Sequence, residues 1–506
     1  MRAFLAKLWA QRRARWYKKL IGREALLQKN LLQQLISFAR NTAFGRDHHL
    51  SEVRTYEEFR QAVPIYSYET LWERYLSRAW AGEPNVTWVG RPKYFAKTSG
   101  TTAGAKFLPL TRESIPTHIR GARDTLLLYV ARKGKADFVN GRWLFLSGSP
   151  ALEKNPAGIL YGRLSGIVHH WVPRYLTRNR LPSWEINCIE EWQTKVRRVI
   201  TEAAQLDLRL LSGIPPWIEQ MLLTAEETLG KKAKQIWPHL QVYIHGGVDF
   251  RLYEERLRQL LPEVDFIETF PASEGFFAFQ DTDDREEGLR LLVDNGIFYE
   301  FIPLERADEP DAPRLPLWEV EVGRPYALLI TTNAGLWGYA IGDVVRFTQL
   351  RPYRLQVVGR VKNHLSAFGE HVIEAEVERA LQAALKATGA RIREYTVGPY
   401  LGPEQPRHEW LLEIEQEPDS WAKFQQVLDE TLQQLNPYYA DLRRGDILAR
   451  PRLYRLPPGA GYAYMESQGR LGGQNKFPHL RSDRVLLDAL LPQAEEIPLS
   501  ETFSLQ

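Results

Sequence analysis

The sequence predicts an α/β fold for most of its length and a smaller α+β unit at its end. Three observations carry that expectation. Short apolar runs bounded by glycine or polar turns, Gly141 to Leu146 and Leu240 to Ile244, read as buried strands. Segments with helical spacing alternate with them, over Glu190 to Leu206 and Ile218 to Leu229. After Arg360-Val361-Lys362 the pattern changes, with a helix-forming run Glu374 to Leu381, strand-like Tyr395 to Val397 and Trp410 to Ile414, and a helix after Ser420.

Taken in order, the first segment is basic. Arg2, Lys7, Arg12, Arg13, Arg15, Lys18, Lys19 and Arg23 precede the first acidic residue, Glu24, and Phe4, Leu5, Leu8, Trp9, Trp16, Leu20 and Ile21 interleave with them. This predicts a basic amphipathic helix, either grazing anionic lipid or packed on the main domain by its aromatic side with its charges solvated. Acidic Asp281 to Glu287 and the proline-rich 303–316 region read as surface connections. The chain has no apolar run of membrane-spanning length and no secretory signal.

Composition sets outer limits. With 506 residues and 44% hydrophobic content the chain can bury large cores, and its length suggests about three domain-sized units. A net charge of +4 is too mild for a nucleic-acid partner. The single cysteine, Cys188, excludes an internal disulfide and fits a reducing cytoplasm. His48-His49 and His169-His170 are sequence neighbours whose side chains diverge, so they read as ordinary surface or core histidines.

The stretch Thr98-Ser99-Gly100-Thr101-Thr102-Ala103-Gly104-Ala105-Lys106 carries the most chemistry. Glycines let backbone N–H groups turn toward an anion, and the hydroxyls and Lys106 add donors and charge, which makes it a candidate phosphate cradle. It is not a Walker loop, because Lys106 is followed by Phe107 instead of Ser or Thr. A polar surface turn is the alternative.

Two more segments follow apolar runs. In Phe270-Pro271-Ala272-Ser273-Glu274-Gly275 the aromatic ring offers a face for adenine, and Glu274 offers a carboxylate for Mg²⁺ on ATP. The competing reading is a helix start with Ser273 as N-cap and Glu274 favouring its dipole. In Tyr339-Ala340-Ile341-Gly342-Asp343 the carboxylate has lone pairs for both ribose hydroxyls, with a Gly-Asp hairpin turn as the alternative.

In this order the segments resemble the adenylate-forming superfamily, and more closely the Gretchen Hagen family of acyl acid amido synthetases. Asn41-Thr42-Ala43-Phe44-Gly45-Arg46, Val63-Pro64-Ile65, His245-Gly246-Gly247, Val358-Gly359-Arg360, Asn436-Pro437-Tyr438-Tyr439 and Gly472-Gly473-Gln474-Asn475-Lys476 match its pattern along nearly the whole chain. The chain departs at Phe270, where the family often has Tyr, and at Ala340, in the place of an Arg.

The resemblance implies a large multi-sheet N-terminal adenylate-forming domain over residues 1–361, binding ATP and the acyl substrate. It also implies a smaller α+β C-terminal lid, mobile on its hinge, over residues 362–506. It implies ATP and Mg²⁺, and a cytoplasmic enzyme that adenylates a carboxylic acid and passes the acyl group to an amino acid or other amine. Ser99, Gly100, Thr101, Thr102, Lys106, Gly246, Gly247, Phe270, Asp343 and Arg360 would bind ATP. Glu274 would hold the metal, Lys476 would serve adenylation from the lid, and Arg120, Ser212 and Trp217 are candidates for the acyl pocket. Two other readings stay open: a thioester-forming acyl-CoA ligase, and a non-catalytic binding protein on a nucleotide fold.

Overall fold

The computed structural model describes all residues except 102–103, 172–177, 248–249, 251–252, 308, 310–311, 361–363, 366, 371, 469–476 and 499–506. For 99–101, 104, 305, 359–360, 364 and 373–375 the description is of the backbone alone. Two compact units result. One comprises residues 1–98, 106–190 and 194–361, and the other 99–105, 191–193 and 362–506.

The first unit opens with α1 (Arg2–Leu20) and α2 (Glu24–Ala39). A hairpin of β1 (Tyr94–Thr101) and β2 (Gly104–Leu110) precedes α3 (Ile115–Lys133), which ends where Gly134 takes a left-handed conformation. Next come β3 (Arg142–Phe145), α4 (Trp192–Ala203), β4 (Leu208–Ser212), α5 (Pro215–Leu229) and β5 (Val242–Gly246). The hairpin of β6 (Asp265–Ala272) and β7 (Gly275–Phe279) is followed by β8 (Leu289–Leu291) and β9 (Ile297–Pro303). Finally β10 (Pro325–Thr332), β11 (Tyr339–Leu350) and β12 (Tyr353–Arg360) complete a meander.

Among the described residues β1 and β2 belong to a four-stranded sheet with 160–162 and 153–154, and the other strands form one mixed twelve-stranded sheet, in the order 315–316, β9, β10, β11, β12, β8, β7, β6, β5, β4, β3, 180–181. The end from 180–181 through β3, β4 and β5 to β6 is parallel, and from β6 onward every pairing is antiparallel. Short parallel strands β3 and β5 coincide with the apolar runs read from the sequence.

Buried polar groups tie the layers. Gln28 on α2 donates to the Val293 and Ile297 carbonyls at 2.7 and 2.9 Å and accepts from the Tyr299 N–H at 2.9 Å, so α2 is keyed to β9. Arg314 pairs bidentately with Glu300, Nε to Oε1 at 2.9 Å and Nη2 to Oε2 at 2.7 Å. The family-like segment at residues 41–46 has a structural part. Thr42 caps a short helix by accepting from the Gly45 N–H at 3.0 Å, and fully buried Phe44 stacks on Trp337 with centroids 5.3 Å apart. A side chain at Gly45 would meet the Ala39 carbonyl oxygen at 2.1 Å, so only glycine fits.

In the second unit, α6 (Glu374–Thr388) and α7 (Trp421–Leu435) pack together. They accompany a sheet of β13 (Arg391–Tyr400), β14 (Arg407–Gln416) and β15 (Arg452–Leu456), with 495–496 at its edge. Strands β14 and β15 are parallel, so the chain crosses over through α7 and α8 (Pro437–Arg444). Asn436 caps α8, its Oδ1 accepting from Tyr438 and Tyr439 N–H groups at 3.0 and 2.9 Å, while Pro437 takes the first helical position. The Tyr439 hydroxyl donates to Asp429 at 2.6 Å, and His408 Nε2 lies 3.1 Å from Glu370 Oε1.

Candidate active site

The parallel half of the sheet gathers the candidates that lie closest in register. Ser212 ends β4 opposite Ile244 of β5, and Gly246 ends β5 opposite Thr269 of β6. Phe270 follows on β6, so Ser212, Gly246 and Phe270 sit on three adjacent strands at their carboxyl ends. In α/β sheets that edge is where ligands bind.

Close packing explains the glycines there. A Cβ on Gly246 would lie 2.2 Å from the Thr269 carbonyl oxygen, and Gly247 has φ +87°, which favours glycine. His245 just before them is buried and stacks on Phe250 at 3.8 Å between centroids. Its carbonyl accepts from Thr269 Oγ1 at 2.8 Å. Burial first, then the charges of Arg285 and Arg258, hold the His245 imidazole well below its ordinary pKa, so it is neutral at pH 7.

After β4 the chain turns at Gly213 into α5, with Pro215 and Pro216 in its first turn and partly buried Trp217 beside them. Tyr243 Oη donates to the Gly213 carbonyl at 3.0 Å and steadies that turn. The loop thus runs directly into the start of α5.

Glu274 lies, partly exposed, with Ser273 in the two-residue turn between Ala272 and Gly275, which pair across the β6–β7 hairpin. The helix-start reading of Ser273 is therefore overturned: the apolar run Phe276 to Phe279 continues as a buried strand instead. Phe270 keeps one side against Phe277, with centroids 4.9 Å apart, and is only partly buried.

Asp343 also differs from the turn reading. It lies within β11, nearly buried, directly opposite Arg360 of β12, and the kink that glycine permits is at Gly342, φ +90°. In strand order β7, β8 and β12 separate Asp343 from Phe270. The structure thus brings together one group at the β4–β6 edge and a second, cross-strand pair at Asp343 and Arg360.

The remaining candidates divide. Ser99, Gly100 and Thr101 have their backbone in β1, while Thr102 and Lys476 lie outside the described residues. Lys106 on β2 holds its ammonium 5.3 Å from the centre of the Tyr68 ring. Arg120 has partners within the fold. Its Nε donates to Asn295 Oδ1 at 2.9 Å, and its Nη2 donates to the Asp294 carbonyl and sits 3.2 Å from Asp294 Oδ1. That fork locks α3 to the segment after β8, so the residue serves the fold.

The burial of Lys195 was not legible in the sequence. It is buried, with Nζ donating to the carbonyls of Ser147 at 2.8 Å and Asn187 at 2.7 Å, next to the carboxyl end of β3. On the sequence it is one of several cations in a helical run, and nothing local marks it.

Three domain signatures of one family match in chain order: the GH3 family N-terminal domain over residues 13–195, the central domain over 290–360 and the C-terminal domain over 375–485. The chain belongs to the GH3 family. Among curated relatives it is similar to indole-3-acetic acid-amido synthetase GH3.8 of Oryza sativa subsp. indica, 31% identical over 183 residues. That alignment covers 32% of this chain and only 29% of the rice protein. Among solved structures the GH3 chain resembles a GH3.15 acyl acid amido synthetase, at 17% identity and a TM-score of 0.58, over 94% of this chain and 95% of that one. It resembles equally a 2-hydroxyisobutyryl-CoA ligase in complex with 2-HIB-AMP and CoA, at 14% identity and a TM-score of 0.58, over 92% of both chains. The fold is the one these two enzymes share.

Proposed function

We propose that this GH3 protein is an ATP-dependent acyl acid amido synthetase. It adenylates a carboxylic acid and then transfers the acyl group to an amine, an amino acid being the expected acceptor. The observation that carries the reading is that Phe270 follows Thr269, the cross-strand partner of Gly246, at the carboxyl edge of a parallel sheet in a GH3-family chain, and leads into the hairpin turn that bears Glu274.

A carboxylate is a poor electrophile, so an amine cannot expel oxide from it; conversion to a mixed anhydride with AMP supplies the leaving group. The substrate carboxylate attacks the α-phosphorus in line, and pyrophosphate leaves. The attacking and attacked groups are both anionic, so preorganised N–H donors and positive charge dominate the lowering of the barrier. Ser99, Gly100, Thr101, Thr102 and Lys106 hold the phosphates, Phe270 stacks on adenine, and Asp343 with Arg360 holds the ribose. Lys476, carried by the C-terminal unit acting as a lid, offsets charge at the α-phosphate. Ser212 and Trp217 border the acid.

Among the described residues no group of three or more His, Cys, Asp or Glu side chains is gathered to hold a metal. Partly exposed Glu274 fits the other mode, in which Mg²⁺ takes one carboxylate and otherwise phosphate and water. Bound there, the ion would neutralise phosphate charge. Free, partly buried Cys188 agrees with a reducing cytoplasm.

The test is ATP–pyrophosphate exchange across a panel of carboxylic acids, followed by incubation with amino acids or thiols. Acid-dependent exchange and an amide product are expected. Thioester without amide would move the protein to the acyl-CoA ligases, and absence of exchange with every acid would leave only a binding role.

A further inference from the structure

Helix α1 is packed through the face that the sequence made least conspicuous. Ala3, Ala6, Ala10 and Ala14, with Tyr17 and Leu20, lie against α3 and the strands beneath it, including Leu127, Leu128, Val130, Phe276 and Phe279. Arg13 and Tyr17 both donate to buried Asp124 of α3, at 2.8 and 2.9 Å. Small side chains let the two helices approach closely, and the charged triad fixes their register.

The large apolar residues therefore point away. Phe4 is 64% exposed, Leu5 57%, Leu8 54%, Trp9 47% and Trp16 44%. The expectation of a helix docked by its aromatic side fails for this reason: the alanines occupy the docking face. The outward face is apolar in its first turns and basic in its last, where Arg12, Arg15, Lys18 and Lys19 are exposed. The Arg123 guanidinium of α3 lies 5.3 Å from the centre of the Trp9 ring, while exposed Phe4, Leu5 and Leu8 have no part in the proposed chemistry.

From this face we infer that α1 binds the surface of an anionic lipid bilayer. Phe4, Leu5, Leu8 and Trp9 enter the boundary between headgroups and acyl chains, while Arg12, Arg15, Lys18 and Lys19 meet lipid phosphates. Charge complementarity selects the occupant: eight cations and no carboxylate lie in residues 1–23, which suits a polyanionic surface. Aromatic rings with a polar handle, such as Trp9 and Trp16, favour that interface. Among the described residues no helix is long and apolar enough to cross a membrane, so the contact is peripheral.

The full chain should co-sediment with vesicles of phosphatidylcholine and phosphatidylglycerol, bind weakly to phosphatidylcholine alone, and release as salt rises. Phe4→Ser with Leu8→Ser should lower vesicle affinity about tenfold or more while leaving ATP–pyrophosphate exchange and thermal unfolding unchanged. Arg12→Gln with Arg15→Gln should remove the preference for the anionic lipid. Equal binding to both vesicle types, or undiminished binding by the Phe4/Leu8 variant, would overturn the inference. So would a lipid-free dimer, seen by sedimentation velocity, that this variant abolishes, because the face would then cover a second copy of the chain.

Discussion

Gly246 and Thr269 face each other across the β5–β6 ladder so closely that a methyl group on Gly246 would stand 2.2 Å from the Thr269 carbonyl oxygen. The contact is backbone on backbone, with no flexible side chain to yield. Gly246→Ala should therefore push the two strands apart, lowering stability by about 2 kcal/mol. It should also displace Phe270, next on β6. A fall in unfolding temperature together with weakened ATP binding, by calorimetry, is the expected result; an unchanged ATP affinity would detach this edge from the nucleotide site.

In the proposed function Asp343 accepts from ribose hydroxyls. Asp343→Ala should weaken ATP binding by about 2 kcal/mol, the scale of a hydrogen bond to a charged group, and slow exchange in step. Equilibrium ATP titration checks this. An affinity equal to wild type would restrict the carboxylate to its cross-strand place opposite Arg360.

Lys476→Ala should act differently. With the charge at the α-phosphate removed, adenylation should slow by about a hundredfold or more, while ATP affinity changes little. Measuring exchange rate and ATP binding on the same variant separates the two effects. A wild-type exchange rate would take Lys476 out of the catalytic set.

The Arg314–Glu300 pair is buried, and Tyr56 Oη also donates to Glu300 Oε1 at 3.1 Å. Glu300→Ala strands a buried guanidinium and should cost about 3 kcal/mol or more. The double change Glu300→Leu with Arg314→Met should cost less, since no charge is left unpaired. Denaturation midpoints of the two variants give the comparison.

Burial pushes the His118 imidazole down to about 4. In the unfolded chain it titrates near 6.5, so between these values protons bind the unfolded state in preference. Its contribution favours the folded state fully above pH 6.5 and fades as pH falls, by up to about 3 kcal/mol near pH 4. His118→Asn should flatten the decline of unfolding temperature between pH 6.5 and 4.5.

Much of this protein was legible from local physics. Buried parallel strands are written as short apolar runs, so β3 and β5 were found within one or two residues, and α4 and α5 within three. The segment at 436–439 was read only as a family match, and the structure supplies its local reasons: a capping Asn, a first-turn Pro and a buried Tyr. The Ser273-Glu274 turn was ambiguous, because a polar pair before an apolar run fits a helix cap as well as a hairpin. Only pairing with β6 decides between them.

The sequence by itself determined the alternation of elements, the order of the motifs and the chemistry their side chains can perform, since these depend on spacing and residue type. The tertiary structure alone decided that Arg120 bridges Asp294 and Asn295, that Lys195 is buried, and that α1 packs by alanines and turns its aromatic rings outward. Each of those outcomes depends on which distant segment comes to lie against the residue, and the free energy of that contact is set by partners far away in the chain.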